Sequence, residues 1–195
     1  MIRLALRSTL PAVLCLMMAL ASPVRADTFA AGSYILPSDT THQDSGGLLV
    51  YGLLYDLLLN NVPVRWTILA GKVKDDVDFS ATTVPVGGGT TALRSYAGGP
   101  FVVDSVDAAA ALPIITAFQL AHSTVAVHEA TATFTADVDR TMVAAPPIAV
   151  AVDGEEDIVF GFLNAAAIPD SAGQPWPAAI DGSGVYRPGE GVGHL

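Results

Sequence analysis

The chain has 195 residues, 51% of them hydrophobic, and carries 19 acidic against nine basic residues for a formal charge of -10. An acidic excess of this size argues against binding to nucleic acid or to anionic membranes, because both need basic surfaces. The length is sufficient for one domain with a real hydrophobic core.

The amino terminus has the layout of a secretory signal peptide over residues 1–26. Arg3 and Arg7 form a positive n-region, and an apolar h-region follows at residues 10–21. Val24 and Ala26 supply the small residues of a cleavage site. We therefore predict a secreted or periplasmic protein that is cleaved near Ala26.

Cleavage there leaves a mature chain of 169 residues that begins at Asp27. The h-region is shorter than the roughly 20 apolar residues that span a bilayer. Leu14 precedes Cys15 where a lipoprotein signal has a small residue, so we predict no stable membrane anchor. Cleavage also removes the single cysteine and three arginines, which leaves six basic against 19 acidic residues, a charge of -13 and no disulfide.

The mature chain opens with a strand–helix–strand succession. Residues 33–37 (SYILP) are typical of a short strand, and residues 46–59 have the length and leucine content of a helix. Only Gly52 and Asp56 interrupt the apolar helix, so we expect it to be buried on more than one side. Another domain or protein chain could provide part of that cover. A strand at residues 62–71 completes a β-α-β unit.

Residues 72–99 are rich in Thr, Val and Gly and predict a short β excursion that turns at residues 87–89. Regular elements then alternate, with Pro113 inside a predicted helix. In chain order we predict a strand at 99–104, a helix at 105–122, a strand at 123–130, a polar connection at 131–145, a strand at 146–154 and a helix at 155–168.

Alternating strands and helices indicate an α/β fold. We predict one domain over residues 27–172, built on a mainly parallel, doubly wound sheet with helices on both faces. Residues 173–195 are rich in Gly and Pro and have no strand pattern, so the alternation stops in mid-unit. We expect an irregular tail, and either the natural fold continues beyond Leu195 or this tail is not the original ending.

Polar loops after the strands are the candidate sites, because ligands of open parallel sheets bind beyond the carboxyl ends of the strands. Such loops could bind a divalent cation or, through a histidine, supply acid–base chemistry. The alternative is that their side chains only cap helices and turns, and their spacing matches no established metal motif. The candidate ligand-binding residues are Asp39, Thr40, His42, Asp44, Asp104 and Asp153.

Several catalytic motifs are absent from the sequence. It contains no G-x-S-x-G elbow, no P-loop, no G-x-G-x-x-G after a strand and no H-E-x-x-H. His128 and Glu129 are consecutive in a predicted strand, so alternation sends their side chains to opposite faces. We identify no catalytic residue and no cofactor, and metal binding stays open.

Four segments resemble the amino-terminal region of a group of uncharacterised secreted bacterial proteins: GSYILPSDTTHQDSGGLLVYGLLYDLLLNNVPVRWTI, VDFSA, GGPFVVD and PPIAVAVDGEEDIVFGFLNAAAIPDS. The resemblance covers most of residues 27–172 and implies no activity. The order of elements is also distantly similar to flavodoxin-like and class I glutamine amidotransferase-like folds. The mature chain lacks the catalytic cysteine of the amidotransferases, so only the architecture could carry over.

Two functions fit these observations. The first is a non-catalytic exported surface or binding module that presents its strand-end loops and its apolar helix to another domain or chain. The second is a secreted hydrolase or metal-dependent enzyme centred on residues 39–44. The absence of a nucleophile motif favours the first function.

Overall fold

The computed structural model describes residues 25–43, 47–150 and 155–177. Most of the predicted signal peptide lies outside these ranges, and only its last two residues, Arg25 and Ala26, begin a strand. Within the described residues the elements, in chain order, are β1 (Arg25–Phe29), β2 (Tyr34–Leu36), α1 (Thr40–Gln43), α2 (Leu49–Leu59), β3 (Val64–Thr67), β4 (Val77–Pro85), β5 (Ala92–Ala97), β6 (Phe101–Val103), α3 (Ala108–Ala121), β7 (His128–Ala130), β8 (Phe134–Met142) and α4 (Glu156–Ala165).

Most of the predicted elements are present, and the predicted excursion at residues 72–99 is the hairpin of β4 and β5. Two predictions in the last third of the chain differ from the structure. Residues 131–145, predicted as a polar connection, contain the nine-residue strand β8. Residues 146–150, predicted as part of a strand, are irregular, and the rest of that segment up to residue 154 lies outside the described residues.

The predicted architecture is wrong, because the sheet is antiparallel throughout. Its eight strands are ordered β1-β8-β3-β6-β2-β7-β4-β5. β2 and β3 run parallel across α2, as a β-α-β unit requires, but β6 lies between them and is antiparallel to both. β6 and β7, joined by α3, likewise have β2 between them. The two β-α-β units are therefore split and interlocked, and every hydrogen-bonded neighbour is antiparallel.

The two long helices, α2 and α3, pack on the same face of the sheet, which corrects the prediction of helices on both faces. Side chains alternate along β2, so Tyr34 and Leu36 face the helices while Ile35 faces away. No helix in the described ranges is both long and apolar enough to cross a membrane. The main helical contributions to this core are Val50, Leu53, Leu57, Leu58, Ala111, Ile115 and Phe118.

Helix α2 is buried on more than one side, as its apolar sequence predicted. The sheet and α3 cover most of it. At Gly52 the turn after α4 comes so close that an added Cβ would lie 1.8 Å from the carbonyl oxygen of Ala166. Tyr51 and Leu59 remain 45% and 51% exposed. We call Tyr51 and Leu59 the outer strip of α2. That a further domain or chain covers α2 therefore stays a prediction, and it concerns only this strip.

The other face of the sheet curls around an aromatic interior and gives a half-barrel. Phe29 stacks on Phe134 with ring centroids 5.1 Å apart, and Phe134 stacks on Phe79 at the same distance. Phe79 in turn lies 5.2 Å from Tyr96. These rings come from β1, β8, β4 and β5, so the stack bridges strands from the two ends of the sheet order.

Asp78 fastens this curl at the start of β4. Its carboxylate is buried, lies 2.7 Å from Lys72 Nζ and accepts the N–H groups of Leu69 and Gly99, each at 2.9 Å. Leu69 follows β3, and Gly99 connects β5 to β6. One carboxylate thus joins the start of β4 to the segment after β3 and to the connection between β5 and β6.

Candidate functional site

The polar loop after β2 is fixed against β5, which is an edge strand of the sheet. Asp39 Oδ1 accepts the N–H groups of Thr41 (2.9 Å) and His42 (3.1 Å), which caps the short helix α1. Asp39 Oδ2 accepts the N–H of Ala97 at 3.2 Å. His42 Nε2 donates to the carbonyl oxygen of Ser95 at 3.0 Å. The two side chains therefore satisfy edge groups that a further strand would otherwise pair.

Gln43 completes this attachment. Its buried amide donates to the carbonyl oxygens of Pro37 and Ala126, both at 2.9 Å, and accepts the N–H of Ala126 at 3.0 Å. Thr40 is exposed to solvent. The capping alternative considered for the loop thus accounts for the bonds of Asp39, and Gln43 is a structural residue that the sequence pattern did not reveal.

Behind His42 lies a polar cluster inside the curl of the sheet. Tyr96 Oη is 2.8 Å from His128 Nδ1 and 2.9 Å from Thr83 Oγ1. Thr83 Oγ1 also accepts a hydrogen bond from the guanidinium of Arg94 at 3.1 Å. The ring of His42 lies 5.1 Å from that of Tyr96 and 5.3 Å from that of His128. These contacts can form a chain of hydrogen bonds in which Arg94 donates to Thr83, Thr83 donates to Tyr96 and Tyr96 donates to His128.

Burial favours the neutral forms of His128 and Tyr96. It lowers the pKa of His128 to about 4, an effect to which the charges of Arg94 and His42 add and which Asp39 opposes. Burial also raises the pKa of Tyr96 to about 12. A general acid or base works best with a pKa near the operating pH. The cluster is therefore better suited to holding the hairpin and the loop together than to proton transfer.

Of the remaining predicted site residues the structure describes only Asp104, and it does not join this loop. Because β2 and β6 are antiparallel, the loops that follow them leave opposite ends of the sheet. Asp104 accordingly lies at the other end, where its Oδ1 accepts the N–H of Val106 at 3.3 Å. Asp44 and Asp153 lie outside the described residues. Among the residues that are described, no three His, Cys, Asp or Glu side chains gather closely enough to hold a metal ion.

A groove lies between α2 and α3 on the helical face of the molecule. Its volume is about 580 Å³. The short segment after α4 forms its third side. We call it the α2–α3 groove, and it is lined by Asp56, Asn60, Pro113, Ile114, Ala117, Phe118, Ala121, His122, Ala167 and Pro169.

Asp56 is the acidic residue of this groove. Its side chain is half-buried on α2, and no hydrogen bond or ion pair to its carboxylate is present in the described part of the chain. Burial raises the pKa of Asp56, and His122 across the groove opposes the rise. Asn60, one turn later, donates through Nδ2 to the backbone oxygen of Asp56 at 2.8 Å rather than to its carboxylate.

Sequence reasoning did not identify this groove, although one signal for it was visible. Asp56 is the acidic interruption in an otherwise apolar helix. Most of the residues that line the opposite side of the groove belong to α3. The packing of α3 beside α2 follows from the split β-α-β order. Comparisons with known proteins find no counterpart: no family model, no curated protein and no solved structure matches this chain significantly.

Proposed function

We propose that the protein is an exported, non-catalytic binding module whose ligand site is the α2–α3 groove. The observation that carries the proposal is the carboxylate of Asp56, which lines the groove without a partner among the described residues. Apolar walls with few polar groups are typical of small-molecule sites, whose volumes run from about 300 to 1,000 Å³. The groove, at about 580 Å³, falls within that range.

The export part of the proposal rests on the signal-like amino terminus. The resemblance to secreted bacterial proteins supports the same interpretation. A further domain or chain over the outer strip of α2, at Tyr51 and Leu59, belongs to this proposal as well, because large apolar side chains are exposed there.

The hydrogen bonds that the loop after β2 already makes favour a binding module over an enzyme centred on that loop. A hydrolytic centre at residues 39–44 would need Asp39 or His42 free to contact a substrate or a metal. Instead, both oxygens of Asp39 accept backbone N–H groups, and His42 Nε2 donates to a backbone carbonyl. These bonds would have to break before either residue could act in a reaction.

A titration with phenylbutanol, followed by amide NMR shifts, tests the groove as a ligand site. About eleven heavy atoms at about 0.3 kcal/mol each give a Kd of a few millimolar. We expect shifts confined to α2, α3 and the segment after α4. Ala117→Phe places a ring in the groove and should abolish binding, whereas Ala109→Phe, on the exposed side of the same helix, should not.

Two results would remove the groove as the site. One is the absence of any saturable shift up to about 10 mM phenylbutanol, a concentration about two to three times the expected Kd. The other is equal binding by Ala117→Phe and by the parental protein, with both folded as judged by their NMR spectra.

A further inference from the structure

Among the described residues that line it, the α2–α3 groove has one acidic and no permanently basic side chain. Asp56 projects from α2, His122 lies opposite at the end of α3, and the segment after α4 contributes Ala167 and Pro169. No lysine or arginine is among the described residues that line it. An anionic ligand would therefore meet a carboxylate with no permanent positive charge beside it.

The carboxylate of Asp56 is placed where a positive charge would be favourable. It is partly removed from water, and burial alone disfavours its ionised form. An unpaired charge in such a setting interacts more strongly with a bound cation than a fully exposed one does, because solvent screens it less. The whole chain adds to this preference through its formal charge of -10.

The walls of the groove indicate that the ligand also has an apolar part. Ile114 and Phe118 of α3 and Pro169 after α4 present apolar surface. A hydrated inorganic cation would leave that surface unused. An organic cation with an alkyl or aryl body can bury the body against these side chains and direct its charged end to Asp56.

We infer that the ligand of the α2–α3 groove is a small amphipathic ammonium ion whose cationic group pairs with Asp56. This inference rests on the proposed function and specifies the class of ligand. Asp56 is the specificity-determining residue, and Ile114, Phe118 and Pro169 contact the apolar body.

The experiment compares phenylbutylammonium, phenylbutanol and 5-phenylpentanoate at pH 8, by calorimetry and amide NMR shifts. These probes share the apolar body and differ in the charge at its end. We expect the ammonium ion to bind about tenfold more tightly than the alcohol, as a charge-assisted hydrogen bond allows. The carboxylate should bind more weakly than the alcohol.

The variant Asp56→Asn should reduce the preference for the ammonium ion over the alcohol to less than about twofold. Asp75→Asn is the matched control, because it removes the same charge from an exposed loop and Asn tolerates the positive φ of that position. It should leave the preference intact. A general effect of net charge would instead lower the preference equally in both variants and would overturn the role of Asp56.

Failure of this inference differs from failure of the binding site itself. If the alcohol and the ammonium ion bind the parental protein equally, or the carboxylate binds best, the cationic ligand is refuted while the groove remains a site. If none of the three probes binds, the proposed function is refuted. The three probes on the parental protein decide the charge of the ligand even if Asp56→Asn does not fold.

Discussion

Replacement of Asp78 by Ala tests what holds the half-barrel closed. The side chain of Asp78 is 1% exposed, lies 2.7 Å from Lys72 Nζ and accepts two backbone N–H groups. The variant leaves both N–H groups unsatisfied and the Lys72 ammonium, itself 14% exposed, without its partner. Breaking a buried ion pair from one side costs about 3–5 kcal/mol, and a domain has only about 5–15 kcal/mol in total. We expect a loss of about 4 kcal/mol, a large share of the stability.

Urea unfolding, followed by the far-ultraviolet circular dichroism of the purified protein, measures this loss. Asp139→Ala is the matched control, because Asp139 also pairs with a basic residue, Arg140, but does so in solvent. An exposed pair contributes at most about 1 kcal/mol, so the control should stay within that range. If Asp78→Ala lost no more than Asp139→Ala, the carboxylate would not be what fastens β4 to the segments around it.

Two further predictions concern packing and pH. Gly52→Ala places a Cβ 1.8 Å from the carbonyl oxygen of Ala166 and should lower the free energy of unfolding by at least about 2 kcal/mol. Gly161→Ala, in open space on α4, should instead raise it by about 0.5–1 kcal/mol. Equal urea midpoints for Gly52→Ala and the parental protein would refute the close packing at Gly52. The pKa of His128 is lowered to about 4 from an ordinary value of about 6.5, so its contribution to stability is complete above about pH 6.5 and is lost as the pH falls towards 4. The ceiling is about 3 kcal/mol, and partial solvent screening reduces the expected loss to about 2 kcal/mol. Urea unfolding at pH values of about 7, 5.5 and 4 should give a flatter profile for His128→Gln, and identical profiles would contradict this role of the ring.

The positions of most helices and strands could be predicted from the sequence, but the neighbours of each strand could not. Hydrophobic periodicity reports local burial, and burial on both sides is the same for a strand in a parallel or an antiparallel sheet. The succession β2-α2-β3 does join two parallel strands. Nothing local to that segment shows that β6, about 35 residues further on, lies between them.

Strand β8 was missed for a different reason. Its inward residues Phe134, Ala136 and Val138 alternate with Thr135 and Asp137, a period of two that is typical of a half-buried strand. The outward acidic residues made the segment look like a connection between elements. Its alternation was the stronger signal, because a strand with one solvated face carries polar residues at every second position.

Prediction from the sequence is limited in the same way for the single side chains of the candidate site. Asp39 and His42 are candidates from the sequence because acids and histidines in a loop could bind a ligand. In the structure both side chains bond to backbone groups of the edge strand β5. Without these bonds the backbone groups would be available to pair with another chain. Asp56 was noted only as an interruption in an apolar helix, yet no hydrogen bond or ion pair to its carboxylate is present in the described residues. The chemistry of a residue type says what it could bind, whereas the bonds it already makes decide whether it is free to do so. That criterion is why we propose the ligand site on the helical face of the sheet, in the α2–α3 groove, and assign the polar loop a structural role at the edge strand β5.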